Sequence, residues 1–483
     1  MSVKQNRTMF PLLTIAVLAV GLGLGFLLPE SEQQTPSGTS SKTVSPSAGN
    51  EADESEVLKG EPTSLASQQQ QVHEFTLSKF DIKDRLQAPA MATDDQGHLW
   101  VAWESQINED ERAIFLITSF DNGKTFSEPE QLRKSRIYSW DAAMRGRTIK
   151  RSSRMWVNLQ FANDRLLLSW VESDKEDLSQ LKLLYAESTD FGKTFSNAIQ
   201  LSTANAVRPT FVAFNANTQG QVAATWLDYR ADVQQPFAAI SHQKIEEQLV
   251  YAGPDDAGIC PCCNLEINVT DKGQTIVAFR NSINGYRDMW LAVRGANETQ
   301  FSEPIPVVEP RWEFNGCPHD GPSLLIDGDQ IHMVWMDAHT GVQQVYYGRA
   351  KVGEWKFTTR PIHQSTAIQG HAYLAKSPQG VVIVWDETVA SPATGDSEHS
   401  HGTPSGSGSA IRMVVSQNNG ESFSSPQTVL NESGEFQSRP SVKSHGDLST
   451  FAWSSLSENG KKMVITTRLS STSSESTQVA IHE

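Results

Sequence analysis

Residues 165–201 read "RLLLSWVESDKEDLSQLKLLYAESTDFGKTFSNAIQL", and this stretch of 37 residues contains three short strand-like phrases. The first two, "RLLLSWVES" and "LKLLYAES", are apolar runs with an aromatic residue, and their length suits strands rather than helices. The phrase "STDFGKTF" supplies turn-forming residues before the third run. Another apolar run precedes each aromatic phrase of this kind, as in "PTFVAFN" at 209–215. Four strands per unit are therefore predicted.

This unit recurs along the chain at a spacing of roughly 50 to 70 residues, which is typical of a β-propeller. We count seven copies, and six is the alternative if one copy is an over-reading. The early run "VHEFTLSKFDI" (72–82) and the last run "STQVAIHE" (476–483) are predicted to complete one blade between them and close the ring. Each copy has one key aromatic side chain, and these are Trp103, Trp170, Trp226, Phe279, Trp335, Trp385 and Trp453.

The first 72 residues differ in composition from the rest. Residues 1–9 carry Lys4 and Arg7 and no acid, and 10–28 is an uncharged apolar run of 19 residues. Such a run is long enough to cross a bilayer as a helix, and the flanking charges predict a cytoplasmic N-terminus. A cleaved signal peptide is the alternative. Residues 29–72 are rich in Ser, Gln and Pro and predict a disordered linker. The sequence thus predicts a membrane-anchored propeller, 73–483, on the periplasmic or extracellular side.

The formal net charge of −16 argues against nucleic acid as a partner, because binding to phosphate requires a basic surface. The acidity identifies no other partner.

Three octapeptides share the pattern Ser-x-Asp/Asn-x-Gly-x-Thr/Ser-Phe: "SFDNGKTF" at 119–126, "STDFGKTF" at 188–195 and "SQNNGESF" at 416–423. They resemble the Asp boxes (BNR repeats) of the sialidase superfamily, and the resemblance covers essentially everything after the linker. It implies an Asp-box β-propeller, with the boxes on the face opposite the active site. It also implies exo-α-sialidase-like glycoside hydrolysis, with a glycan or glycoconjugate as partner.

That family presents an early Arg-Ile-Pro phrase, three arginines that bind the substrate carboxylate, an aspartic acid/base and a Tyr/Glu nucleophile pair. Here the early slot reads "RLQAPAM" at 85–91, whereas Arg-Pro occurs at Arg208 and Arg439. Propeller geometry places the starts of inner strands and the ends of the aromatic strands on one face. The catalytic candidates are therefore Arg208, Arg439, Asp228, Asp337 and Glu172. The alternative for the acids is that they are solvated or paired with nearby arginines.

Four cysteines occur in two similar phrases, "GICPCCNLEI" at 258–267 and "NGCPHDGP" at 315–322. Both phrases are predicted at the starts of neighbouring blades four and five, beside the central channel. Disulfides are one interpretation, since exported proteins commonly contain them, and an inter-blade bond from Cys317 to Cys260 or Cys263 is natural. The second is a Cu or Zn site with Cys260, Cys262, Cys317, His319 and His371 as ligands. Free or redox-active thiols are the third. His399 and His401, in a polar insertion, could close such a site.

Three functions remain open at this point. One is an anchored sialidase-like exo-glycosidase, and another is a propeller that binds a glycan or protein without catalysis. The third is a metal-binding or redox head built on the cysteines.

Overall fold

A computed structural model describes residues 71–78, 87–144, 147–241, 244–378, 380–388, 408–430, 435–457 and 460–469. All of these belong to one compact unit, Ser67–Glu483. The predicted anchor at 10–28, the linker up to residue 70, the run "STQVAIHE" and the insertion with His399 and His401 lie outside the described residues. Within the described ranges, no helix has the length and apolar character needed to span a bilayer.

The described chain is all β apart from one short 3-10 helix, Pro254–Asp256. The first strands are β1 (Val72–Ser78), β2 (Ala90–Thr93), β3 (Leu99–Gln106), β4 (Glu111–Ser119), β5 (Glu130–Arg136), β6 (Ser139–Met144), β7 (Arg147–Ser152), β8 (Asn158–Ala162), β9 (Arg165–Ser173), β10 (Leu181–Ser188), β11 (Ile199–Gln200), β12 (Thr210–Ala216), β13 (Val222–Asp228), β14 (Gln235–Ser241) and β15 (Ile245–Leu249). They continue as β16 (Glu266–Val269), β17 (Thr275–Arg280), β18 (Met289–Arg294), β19 (Ile305–Pro306), β20 (Ser323–Asp327), β21 (Gln330–Asp337), β22 (Gln344–Lys351), β23 (Thr358–Pro361), β24 (Ile368–Ser377), β25 (Gly380–Thr388), β26 (Ser409–Ser416), β27 (Gln427–Thr428), β28 (Phe436–His445), β29 (Leu448–Ser457) and β30 (Gly460–Leu469).

Twenty-eight of these strands form seven antiparallel sheets of four strands each, and β6 and β7 form a separate hairpin. Blades one to six are β2–β5, β8–β11, β12–β15, β16–β19, β20–β23 and β24–β27, and blade seven is β28–β30 with β1. The inner strands β2, β8, β12, β16, β20, β24 and β28 contact one another in that order, and β28 contacts β2. The structure is therefore a closed seven-blade propeller, as the repeat count predicts.

The ring closes through the early strand. β1 pairs antiparallel with β30, with His73 opposite Ile465 and Phe75 opposite Met463. The prediction that the early run joins the last unit is confirmed, and it supplies the outermost strand of blade seven. The partner strand among the described residues is β30, and "STQVAIHE" lies outside them. This pairing covers the outer edge of β30, and an exposed edge is a template for aggregation.

Apolar clusters between neighbouring sheets hold the blades together. The aromatic residues that the repeats predict as key are all buried, and Trp226, Trp385 and Trp453 are fully inaccessible to solvent. One cluster packs Val171 and Leu183 of blade two against Phe214 and Trp226 of blade three. Truncating a buried aromatic residue of this size typically costs about 3–5 kcal/mol. The repeated aromatic phrases thus hold adjacent blades in register around the axis.

The three octapeptides form the same turn between the third and fourth strands of blades one, two and six. In the second, Asp190 accepts hydrogen bonds from Thr194 N at 2.9 Å and Thr194 Oγ1 at 2.6 Å. Ser188 Oγ accepts one from Gly192 N at 2.8 Å. Gly192 has φ 88°, a backbone conformation that is unfavourable for residues with a Cβ. The hydrogen bond from the Thr194 hydroxyl, with the backbone bond from Thr194, lowers the pKa of Asp190 to about 2.

Candidate functional site

The start of each inner strand lies at one face of the ring, here called the channel mouth. Three inner strands begin with an irregular register, between Thr210 and Ala213, between Gly370 and Tyr373, and between Ser438 and Ser441. Such bulges redirect side chains. Left-handed backbone is uncommon at non-glycine residues. It occurs at the mouth at Arg208, Phe211, His319, His371 and Arg439.

Asp228, a predicted catalytic acid, is fully buried. Arg230 donates to it through Nε at 3.0 Å and Nη2 at 2.7 Å. It also accepts hydrogen bonds from Trp226 Nε1 at 3.0 Å and Val207 N at 3.2 Å. These partners occupy both carboxylate oxygens, so Asp228 holds the end of β13 in place.

The other two predicted acids are also bound within the chain. Glu172 accepts the indole N–H of Trp170 at 2.7 Å. Asp337 accepts from His339 N at 2.8 Å and from Arg311 Nη2 at 2.9 Å. Burial favours a higher pKa for Asp337, but the His339 hydrogen bond and the Arg311 charge outweigh it and hold that pKa below its usual value. The alternative that the sequence left open, pairing of strand-end acids with nearby arginines, describes Asp228 and Asp337, whereas Glu172 is bound by an indole N–H.

The two predicted arginines contact different partners at the mouth. Arg439 donates from its backbone N to Asp386 Oδ2 at 2.9 Å and from Nη2 to His319 O at 3.5 Å. The Arg208 guanidinium instead stacks between two aromatic rings, with Cζ 5.3 Å from the Trp140 ring and 4.5 Å from the Tyr229 ring. No hydrogen bond or ion pair engages this guanidinium among the described residues. Its N–H edge is therefore available to a ligand.

The β6–β7 hairpin, which carries Trp140, belongs to a basic segment that sequence reasoning missed. Tyr138 stacks on Trp140, with ring centroids 5.6 Å apart and planes 19° from parallel. Tyr138, Trp140, Arg208 and Tyr229 thus form one continuous stack. Residues 133–154 contain eight Lys or Arg residues and a single acid, Asp141, in a chain with net charge −16. That local excess of positive charge was the sequence signal that could have identified the segment.

The cysteines of blades four and five converge at the mouth. Cys260 Sγ lies 2.8 Å from Cys263 Sγ and 3.8 Å from Cys262 Sγ. Cys260, Cys262 and Cys263 form one group of possible ligand atoms within 4.8 Å of one another, and Cys262, Cys317 and His319 form a second. None of the four cysteines forms a disulfide. Five of the predicted ligand and bridging residues therefore meet at one place.

The predicted ligand His371 lies in neither group. Its Nδ1 is 2.7 Å from Asp386 Oδ2, and its backbone N donates to Asp320 Oδ2 at 2.6 Å. Ser438 Oγ also donates to Asp386 Oδ2, at 2.7 Å. Burial raises the pKa of Asp320. His371 of blade six thus contacts Asp386 in its own blade and Asp320, which follows His319 in the loop of blade five. Ser438 of blade seven joins this network through Asp386.

The thiols differ in their electrostatic surroundings. Hydrogen bonds from the Cys262 and Cys263 thiols hold the pKa of Cys260 well below its usual value. Burial raises the pKa of Cys263 to about 12. The hydrogen bond to Cys260 raises the pKa of Cys262. Cys260, which is completely buried, is therefore the thiol of these three that ionises most readily.

No protein-family model matches this sequence, and no curated protein matches it. Similar solved structures include sialidases, glycoside hydrolases and polysaccharide lyases with low sequence identity. A protein of unknown function from Dyadobacter fermentans DSM 18053 is 14% identical with a TM-score of 0.39, covering 66% of this chain and 95% of its own. The intramolecular trans-sialidase from Ruminococcus gnavus is 11% identical with a TM-score of 0.40, covering 64% of this chain and 91% of its own. The polysaccharide lyase Uly1 is 9% identical with a TM-score of 0.44, covering 80% of this chain and 90% of its own. The chain is similar to these proteins, and the comparison assigns it neither a family nor an activity.

Proposed function

We propose that this propeller recognises a carboxylated saccharide at the channel mouth without hydrolysing it. The observation that carries the proposal is the Arg208 guanidinium, stacked between Trp140 and Tyr229 with no carboxylate partner among the described residues. A guanidinium binds a carboxylate through two parallel hydrogen bonds. The two rings hold the guanidinium plane in a fixed orientation, so little conformational freedom is lost on binding.

Its surroundings favour a saccharide as the carrier of that carboxylate. Tyr229 is 37% exposed, so an aromatic face is accessible beside the guanidinium. The neighbouring β6–β7 hairpin adds basic residues, including Lys150 and Arg151. Stacking surfaces with a few polar groups that fix orientation are typical of small-ligand sites. The acidic remainder of the chain disfavours long polyanions such as nucleic acids.

Recognition without hydrolysis is proposed because the acids are committed elsewhere. A glycosidase needs one carboxyl group to protonate the leaving oxygen and a second to act as base or nucleophile. Asp228 and Asp337 are each bound by an arginine, and Glu172 by an indole N–H. Exo-sialidase activity through these residues is therefore the less favoured form of the proposal.

We further propose that the propeller lies outside the cytoplasm, anchored by residues 10–28 and tethered by 29–72. The support is the uncharged apolar run behind Lys4 and Arg7, followed by a polar segment. A flexible tether would let the binding head search a surface.

The test is calorimetric titration of the full chain in detergent with sialyllactose and oligogalacturonate, and with lactose as the neutral control. Charged hydrogen bonds contribute about 1.5–3 kcal/mol, so Arg208→Gln is expected to weaken binding about ten- to hundredfold. Arg360→Gln is the matched control, since Arg360 also stacks on two rings, Tyr347 and Phe423, but beside the turn at Gly420.

The proposal would be refuted if the wild-type chain bound lactose as tightly as sialyllactose or oligogalacturonate. It would also be refuted if the Arg208→Gln variant bound the acidic saccharides as tightly as the wild type. Release of a fluorophore from a sialoside by the wild-type chain would refute the absence of hydrolysis.

A further inference from the structure

The cysteine cluster at the channel mouth is independent of saccharide recognition. All four cysteines of the chain meet there with His319, from two loops of neighbouring blades. They form two groups of three possible ligands, and Cys262 belongs to both groups. We propose that these groups bind two Cu(I) ions, one in each, with the Cys262 thiolate bridging them.

The position of Cys262 favours a metal cluster over disulfides. Its Sγ is 3.8 Å from Cys260 Sγ, and it lies within 4.8 Å of both Cys317 Sγ and a ring nitrogen of His319. A sulfur can form only one disulfide, but a thiolate can ligate two metal ions. An imidazole has no part in a disulfide, whereas it is a common metal ligand. One arrangement therefore explains the shared sulfur and the histidine together.

The number of ligands favours Cu(I) over Zn(II). Structural zinc sites are almost always tetrahedral and need four ligands, whereas each group here offers three. Soft thiolate ligands select Cu(I). Three ligands in a plane at about 2.3 Å from an ion are about 4 Å apart, which agrees with the Cys260–Cys262 separation of 3.8 Å. Cys263, 2.8 Å from Cys260, would have to move by about 1 Å on metal binding.

A buried cation beside the cluster supports negative charge on the sulfurs. Arg280 is 1% exposed, and its guanidinium donates to three main-chain carbonyls, Asp320 O at 3.1 Å, Arg287 O at 2.6 Å and Met336 O at 2.7 Å. None of these acceptors carries charge. The backbone N of Cys260 donates to Arg280 O at 3.2 Å, so the main chains of the two residues are held side by side. The carboxylates of Asp288 and Asp320 also interact with this guanidinium. Four thiolates with two Cu(I) ions retain a net negative charge, which the same guanidinium stabilises.

The two loops are also locked against each other. The main chain at Gly321, in the blade-five loop, passes so close to the blade-four loop that a Cβ would overlap the carbonyl oxygen of Asn264. His319 adopts φ 59°, a strained conformation for a non-glycine residue. Its Nδ1 lies 3.4 Å from Cys262 O. A hydrogen bond to a backbone carbonyl fixes the tautomer and the ring orientation of a ligand histidine.

The test uses the reduced full chain under anaerobic conditions, titrated with Cu(I) in competition with a chromophoric chelator. We expect two Cu(I) per chain, and protection of all four thiols from alkylation once copper is bound. Cys317→Ser is expected to retain one Cu(I), and Cys262→Ser at most one. His319→Asn is expected to weaken the second equivalent at least tenfold, while the control His363→Asn leaves both equivalents unchanged.

Circular dichroism is the check that each variant is folded. Cys317 is the partly exposed cysteine, so its replacement is expected to disturb packing least. Two disulfides in the isolated chain with no Cu(I) uptake after reduction would overturn the proposal. A single tetrahedral Zn(II) that displaces Cu(I) and requires all four cysteines would overturn it as well. Saccharide binding by Cys317→Ser is expected to equal that of the wild type, so a failure here and a failure of the Arg208 site are distinguishable.

Discussion

Replacing Asp228 with asparagine distinguishes a structural role of this acid from a catalytic one. The side chain is completely buried, and the partly exposed Arg230 donates to it twice. Asparagine keeps the shape of the side chain, but it removes the charge and turns an amide N–H₂ toward groups that are themselves donors, Trp226 Nε1 and Arg230. We therefore expect the Asp228→Asn variant to be folded but substantially less stable.

The magnitude follows from the partners. Removing one member of a buried ion pair typically costs 3–5 kcal/mol. Arg230 keeps a second carboxylate partner, because its Nη1 lies 2.6 Å from Glu247 Oε1. The lower end of that range therefore applies, and the expected loss in the free energy of unfolding is about 3 kcal/mol.

The assay is urea unfolding followed by tryptophan fluorescence, with saccharide affinity measured in parallel. Asp232→Asn, an exposed change in the same loop, is the matched control and should alter stability by less than about 0.5 kcal/mol. An Asp228→Asn variant as stable as wild type would refute the structural role. Loss of a measurable glycosidase activity at unchanged stability would assign Asp228 to catalysis instead.

Two further predictions concern the channel wall and the ring closure. Burial raises the pKa of Glu266 to about 7, and the hydrogen bond from Ile267 N and the charge of Lys443 offset this only in part. The native state therefore binds this proton more tightly than the unfolded state. The contribution to stability is present below about pH 4.5 and is lost as the pH rises through 7. Glu266→Gln should stabilise the chain by roughly 3 kcal/mol at pH 8, abolish that pH dependence in urea unfolding, and leave stability at pH 4 unchanged; an unaltered pH profile would contradict it. Deleting residues 1–70 should leave a soluble folded propeller, whereas deleting 1–78 removes β1 and exposes the edge of β30, so the longer deletion should aggregate on size-exclusion chromatography; identical monomers would contradict the closure.

The repeats predicted the fold because their signal is local. Each unit carries its own aromatic residue, its own turn and a strand-length apolar run, so seven sheets could be counted without knowing how they pack. The same regularity placed Cys260 and Cys317 on one face, since both precede inner strands of neighbouring blades. The early run at 72–82 was predicted to help close the ring, and its first seven residues, Val72–Ser78, do so by pairing with β30.

The roles of single polar residues were harder to predict, because they depend on partners distant in sequence. Glu172 and Asp228 each lie two residues after a buried tryptophan, and residues two apart share a face of a strand. That spacing alone could have predicted their hydrogen bonds to Trp170 and Trp226. The contact of Arg208 with Trp140 could not be predicted, since it joins blade three to a hairpin inserted between blades one and two.

X-ray absorption at the copper edge of the full chain loaded with two equivalents of Cu(I) tests most directly whether the ring gathers the sulfurs of blades four and five. We expect a shell dominated by sulfur donors with a minor nitrogen contribution, together with a copper–copper vector that disappears in Cys262→Ser. A shell of nitrogen and oxygen donors with no copper–copper vector would show that the cysteines do not form one cluster at the channel mouth.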